Sequence, residues 1–242
     1  MAIKIITPVG DMIDLNEFAK KYSAAYIYGN EKIENIRYLQ TWEPIEQEIL
    51  DNHDIFQYEL FKRMMAWKFG RIAYKRSFRE KRPCYYKDWI NEGNKNPRMR
   101  GNIIELAKFH RELLNNKPKI DSCIENDDIE SAINAILACW VPGSYIGAVY
   151  AITILFFMSE GKYPIYDRFV LTSLKAIEEK RYPKVGESKQ YHNMNKEEII
   201  KTYINYYIPK IDVLLEKMNI KPKNHLEYRD LDRALWVYGH GY

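Results

Sequence analysis

The chain has 242 residues, of which 46% are hydrophobic, 14% aromatic and 29% charged, with a formal net charge of +4. That length is ample to bury a core in one large domain or two small ones, and so modest a charge makes its distribution more informative than its sum. Three cysteines, Cys84, Cys123 and Cys139, form no CxxC pair and exclude a disulfide scaffold.

Cysteine usage of this kind implies a reducing compartment. No apolar run reaches the roughly 18 residues of a membrane-spanning helix. Residues 1–10 lack the basic start and long apolar region of a signal peptide. A cytoplasmic location is therefore expected. The five histidines are scattered, no HxxxH or Cys/His cluster occurs, and no nucleotide-type phosphate loop is present. These absences disfavour a metal hydrolase and a P-loop enzyme. The twenty tyrosines are unusually many. Each offers a flat apolar face with a polar end, suited to a core and equally to stacking on bases.

In chain order, residues 2–6 alternate and are β-branched, Pro8 and Gly10 mark a turn, and 12–15 resume the pattern, which predicts a small hairpin. Asn16 is placed to cap a helix over 17–28, closed by Gly29-Asn30. Further helices fit 44–50 and 55–69. In the second, Phe56, Leu60, Met64 and Trp67 recur at three- and four-residue steps and mark its expected buried face. From 62 to 100 lysine and arginine far outnumber Glu80, Asp88 and Glu92, with Trp67, Tyr74, Phe78, Tyr85, Tyr86 and Trp89 interleaved. A basic tract carrying aromatics is what a surface that binds phosphates and stacks bases requires, and a solvated loop has the same composition. Its candidate contacts are Lys68, Arg71, Lys75 and Arg76.

Residues 102–114 are amphipathic, with Ile103, Leu106, Ala107, His110 and Leu113 or Leu114 on one face, and Asn115-Asn116-Lys117-Pro118 is expected to end that helix. His110 there reads as a packed core histidine. Asp127-Asp128 open the next helix, where acids complement the helix dipole without any metal site. Val141-Pro142-Gly143 then breaks the helix. Residues 146–158 are apolar almost all round, as in a buried central helix. Residues 161–165 return the chain, and Asp167 sits at the N-cap position ahead of Phe169, Val170, Leu171 and Leu174.

Residues 182–195 read as a polar loop. A long helix over 196–218 carries Ile199, Ile200, Tyr203, Ile204 and Tyr207 in register and is bent at Pro209. The last helix, 228–238, places Leu231, Ala234, Leu235 and Tyr238 on one face, with Trp236 expected in the core. Many helices against one small hairpin make an all-α fold.

The stretch from 134 to 177 resembles the core of the helix-hairpin-helix DNA glycosylase superfamily. Pro142-Gly143 with Gly147 stands for that family's hairpin, although Gly143-Ser144-Tyr145-Ile146-Gly147 has two more residues between its glycines than the usual Gly-x-Gly. Lys162 to Val170, KYPIYDRFV, stands for the Pro-x-x-Asp segment that follows, and Pro164-Ile165-Tyr166-Asp167 looks most like the adenine glycosylase branch. The resemblance implies one helical glycosylase-like unit over 1–242. Residues 101–180 would hold the helix-hairpin-helix core, with 1–100 and 181–242 as a second lobe.

By the same resemblance Asp167 is the catalytic residue. Cleaving the bond between a base and deoxyribose builds positive charge on the sugar, which a nearby carboxylate stabilises while orienting water. The lysine that some members use as nucleophile would fall at Gly147 or Ala148, so a monofunctional, water-using enzyme is implied. Backbone N–H groups around Gly143, Ser144, Tyr145 and Gly147 would grip a phosphate of duplex DNA. Trp140, Tyr163 and Tyr166 are candidates to line the pocket for a flipped base. The four-cysteine iron–sulfur loop of many relatives is absent, since no cysteine lies beyond Cys139. No metal site is expected, although relatives hold a monovalent cation at the hairpin. Two alternatives stay open: a DNA-binding protein of the same fold without the chemistry, and an all-α protein-interaction module. As a simple N-cap, Asp167 would suit either.

Overall fold

The computed structural model describes residues 3–28, 40–41, 55–68, 74–76, 83–85, 98–99, 102–103, 106–139, 147–221 and 225–241. The chain divides into two compact units, residues 1–38 with 161–242 and residues 39–160. This division differs from the expected lobes. It falls just after the central helix, between Glu160 and Gly161.

Residues 1–38 and 161–242 form a helical unit faced by one hairpin. Strands β1 (Lys4–Ile6) and β2 (Met12–Asp14) pair antiparallel, with Ile5 opposite Ile13. Gly10 closes the turn at φ +89°, in the left-handed region that glycine enters freely. Helix α1 (Leu15–Tyr28) follows without a break. Its cap is Asp14, whose carboxylate accepts the Glu17 N–H at 2.8 Å, and not the expected Asn16, which lies inside the helix. Phe18 and Tyr22 on α1 meet Tyr238 edge-on, at 5.3 and 5.6 Å between ring centroids. The Tyr238 hydroxyl donates to the Ile6 carbonyl at 2.8 Å, which ties the hairpin to the same cluster.

In residues 39–160 the described elements are β3 (Gln40–Thr41), α2 (Tyr58–Lys68), β4 (Tyr74–Arg76), β5 (Pro83–Tyr85), β6 (Arg98–Met99), β7 (Asn102–Ile103), α3 (Leu106–Glu125), α4 (Ile129–Ala138) and α5 (Ala148–Met158). Helices dominate, as the sequence predicts. The short antiparallel sheet β3-β4-β5 and the pair β6-β7 add strand: β4, β5 and β6 fall in the tract foreseen only as basic, and β7 falls where the helix over 102–114 was expected to begin, which instead starts at Leu106.

Helix α2 buries Phe61, Met64 and Met65, while Phe56 and Leu60 are half-exposed, so its core face is rotated from the expected stripe. His110 on α3 packs between Tyr58 and Phe61, at 5.3 and 5.0 Å between rings, as a core histidine. Ala107 and Leu114 are exposed, and Phe109 takes the place expected of Ala107. Helix α3 does not stop before Pro118 but runs through it. Proline removes one N–H, which would have bonded the carbonyl of Leu114. Leu114 is exposed, so water can satisfy that carbonyl. Asp128 caps α4 by accepting the Ser131 N–H. Helix α5 is buried at Ala148 and from Ala151 to Phe157, the central helix its composition predicts.

Candidate active site

The loop that carries Asp167 belongs to the unit of residues 1–38 and 161–242. It leads into α6 (Arg168–Glu178), and Asp167 is that helix's N-cap. Its backbone is extended, at φ −143° and ψ 142°, and its Oδ1 accepts the Phe169 N–H at 2.8 Å. Among the described residues no other donor bonds this carboxylate. The side chain is half-buried.

What holds the loop is a deformation 40 residues further on. A 3-10 turn (Glu187–Tyr191) intervenes. Then α7 (Lys196–Thr202) passes through a π-helical segment (Tyr203–Tyr207) into α8 (Ile208–Lys217). The Ile208 N–H reaches back five residues to the Tyr203 carbonyl. Pro209 explains the position, because its ring cannot donate and crowds the preceding turn, so the helix widens there instead of kinking. Tyr203 and Tyr207 thereby both point at the loop. The Tyr203 hydroxyl donates to the Pro164 carbonyl at 2.6 Å, and that of Tyr207 donates to the Ile165 carbonyl at 2.7 Å. The Tyr207 oxygen also accepts the Asp167 N–H at 3.3 Å. Pro164, Ile165 and Asp167 are thus fixed through backbone atoms.

Tyr207 is fully enclosed, and burial, with the Asp232 and Asp167 carboxylates nearby, pushes its phenol well above the ordinary range. Asp232 lies 3.4 Å from the Tyr207 hydroxyl and is ion-paired with Arg229, both nearly buried in α9 (His225–Tyr238). A buried charge of this kind is tolerable only when paired.

Around the carboxylate lie groups the sequence did not single out. His240 stacks on Phe169 at 3.6 Å between ring centroids and meets Trp236 edge-on at 4.2 Å. Its Nδ1 lies 2.8 Å from the Trp236 carbonyl, which can only accept, so Nδ1 carries the proton. Burial holds this imidazole below its ordinary pKa, while the Trp236 carbonyl and the Asp167 carboxylate favour protonation. Arg168 reaches His192, with Nη1 2.6 Å from Nδ1, and its guanidinium lies 5.1 Å from the Phe169 ring centre. Gly239 makes the stacking possible, because a Cβ there would lie 1.8 Å from the Phe169 carbonyl oxygen. The signal for this cluster was the run Tyr238-Gly239-His240-Gly241, a histidine between glycines just after a helix. Spacing alone does not say what it meets.

Asp167 takes the capping position expected of it. Tyr163 and Tyr166 do not line an open pocket: both are 2% exposed. Tyr166 packs 5.1 Å from the Tyr207 ring, and its hydroxyl lies 3.7 Å from the Met194 sulfur. Their apolar faces are consumed by the core. Trp236, expected in the core, is half-exposed and with Phe169 supplies the aromatic faces near Asp167. Trp140, Gly143, Ser144, Tyr145 and Arg71 lie outside the described residues. Lys68 ends α2, and Lys75 and Arg76 lie in β4. Gly147 caps α5 in extended conformation with open space where a Cβ would stand, and Ala148 is fully buried. Both belong to residues 39–160, the other unit.

Comparison with protein-family models, with curated proteins and with solved structures finds no match. Among the described residues no group of three or more His, Cys, Asp or Glu is placed to hold a metal, and no helix is long and apolar enough to cross a membrane. Cys139 is a buried free thiol, pushed up to about 11 chiefly by burial, which suits packing rather than reactivity.

Proposed function

We propose that this protein is a monofunctional DNA glycosylase that hydrolyses the N-glycosidic bond of a damaged or modified base, with Asp167 as its catalytic carboxylate. The observation that carries the reading is the Asp167 loop itself. Hydroxyls from a π-helical segment hold its backbone, and one carboxylate oxygen is fixed by the Phe169 N–H. A carboxylate held in this way can stabilise an oxocarbenium-like sugar and orient water against it. Positioning of this kind avoids reorganisation during the reaction.

The absence of lysine at 147 and 148 supports hydrolysis by water over attack by a protein amine. Trp236, half-exposed and edge-on to Phe169, offers an aromatic side chain near the carboxylate, suited to a base taken out of the stack. Arg168 adds a cation at the same helix start for a backbone phosphate.

The test is a panel of duplexes, each with one damaged or modified base, treated with alkali after incubation to cut at abasic sites. Wild type is expected to yield alkali-dependent cleavage of one duplex. Asp167→Asn should lower that rate by about a hundredfold or more. Asparagine caps a helix about as well as aspartate, so unchanged unfolding would assign the loss to chemistry. Salt-sensitive binding with no cleavage on any duplex would instead indicate a DNA-binding protein in which Asp167 serves only as a cap.

A further inference from the structure

The unit of residues 1–38 and 161–242 also holds a cavity of about 470 Å³, near the end of α6 remote from Asp167. Its lining includes Leu174 and Leu214, each nearly buried, with Ile3, Ile6, Met12 and Val213. Met12 and Val213 are 67% and 46% exposed, a cost in apolar surface that an occupant would relieve. The strand pleat sets the arrangement. Lys4 and Ile6 lie two residues apart on one face of β1, with Met12 opposite Ile6, while Ile5 between them points into the core.

Three lysines, Lys4, Lys180 and Lys210, are among the lining residues, with Glu178 as the one acid there. Lys210 is committed to Glu178 at 2.5 Å. Among the described residues no carboxylate pairs with Lys4 or Lys180. Asp14, across the ladder from Lys4, is engaged in capping α1. Lys180 is held at φ +51°, in the left-handed position of a helix C-cap where the Arg181 N–H bonds the Ala176 carbonyl and the Lys180 N–H bonds that of Ile177. Glycine would adopt that conformation without strain. A lysine stands there instead, as one of the residues that line the cavity.

We propose that this cavity binds an amphipathic monoanion, an alkyl chain ending in a carboxylate. The chain lies against Leu174, Leu214 and Met12, and the head group sits at Lys4 and Lys180. A few convergent polar groups on an otherwise apolar cavity of this size are the usual make-up of a small-molecule site. The apolar walls do not suit a nucleic-acid backbone. This inference stands on different residues from the glycosylase reading and survives its failure.

The experiment is an NMR titration of the ¹⁵N-labelled full chain with decanoate below its micelle concentration, with decanol and acetate as controls. Decanoate is expected to give saturable shifts at residues 3–6, 12, 174–180 and 213–214. Decanol and acetate should each bind at least about tenfold more weakly. Lys180→Gly should weaken decanoate about tenfold while leaving the unfolding temperature equal or higher, so a folding defect cannot imitate the result. Scattered or non-saturating shifts would overturn the proposal, as would Lys180→Gly leaving the affinity unchanged. Two other outcomes would assign the groove elsewhere and also overturn it. One is shifts at residues 12 and 213 that grow with protein concentration alone, which would indicate a second copy. The other is saturable binding there of an acidic amphipathic helical peptide with none of decanoate.

Discussion

Helix α6 is capped by Asp167 and ends at Glu178, and the two carboxylates are held by different means. Asp167 is placed by backbone: its own N–H meets Tyr207, the carbonyls before it meet Tyr203 and Tyr207, and its carboxylate meets the Phe169 N–H. Glu178 is placed by side chains, with Oε1 2.5 Å from Lys210 Nζ and Oε2 2.8 Å from the Tyr206 hydroxyl. Those hydrogen bonds hold its carboxyl below the usual range, led by the one from Lys210. Glu178 nevertheless stands in solvent, where ion pairs are screened and side-chain entropy opposes them. Rigid placement needs a partner that cannot move away, and buried hydroxyls against backbone carbonyls provide one.

The contrast can be broken at several strengths. The largest effect on stability is expected from Gly239→Ala. Its Cβ would collide with the Phe169 backbone, so α9 and the start of α6 must separate, at a cost of about 3 kcal/mol. Chemical denaturation measures it, and a loss under about 0.5 kcal/mol would show that this contact is not tight. Tyr207→Phe comes next. It leaves the Ile165 carbonyl and the Asp167 N–H without their partner in a buried site, for a loss of about 2 kcal/mol. The base excision proposed for this site should fall with it, because the carboxylate loses its anchor. Equal stability in the variant and wild type would contradict the anchoring role.

A third test uses pH. Burial depresses the His240 pKa in the folded protein below its ordinary value of 6.5. Below that value the unfolded chain takes up the proton first, so folding stability is fully present above it and falls as pH drops towards the folded-state value. Unfolding temperatures between pH 8 and pH 5 should decline more steeply for wild type than for His240→Gln. Parallel curves would remove His240 from the account. The smallest effect is expected at the other end of the helix: Glu178→Gln should cost less than about 0.5 kcal/mol and lose even that at high salt.

The candidate site was legible in part. Asp167 could be placed because a helix start has a local signature, an aspartate ahead of Phe169, Val170 and Leu171. The burial of Tyr163 and Tyr166 was not legible, since a tyrosine between apolar neighbours serves a pocket or a core equally well and sequence does not say which face is covered. Pro209 announced an irregularity. That the helix would widen over Tyr203–Tyr207, and aim two hydroxyls at residues 164 and 165, depends on packing. Pro118 announced a helix end that did not come, because one lost hydrogen bond beside exposed Leu114 costs less than interrupting a buried face carried on to Ile120.

By itself the sequence determined the mainly helical character, the small hairpin over residues 4–14, the buried helix at 148–158, the capping of α6 by Asp167 and the packing of His110. Each of these rests on local periodicity or on chemistry within a few residues. Tertiary structure decided the rest: the division of the chain at 160/161, the clamp on the Asp167 loop from 40 residues away, and the stacking of His240 on Phe169. Those depend on which surfaces meet, and a contact between distant residues is selected by the total burial and hydrogen bonding of the fold rather than by either residue's neighbours in the chain.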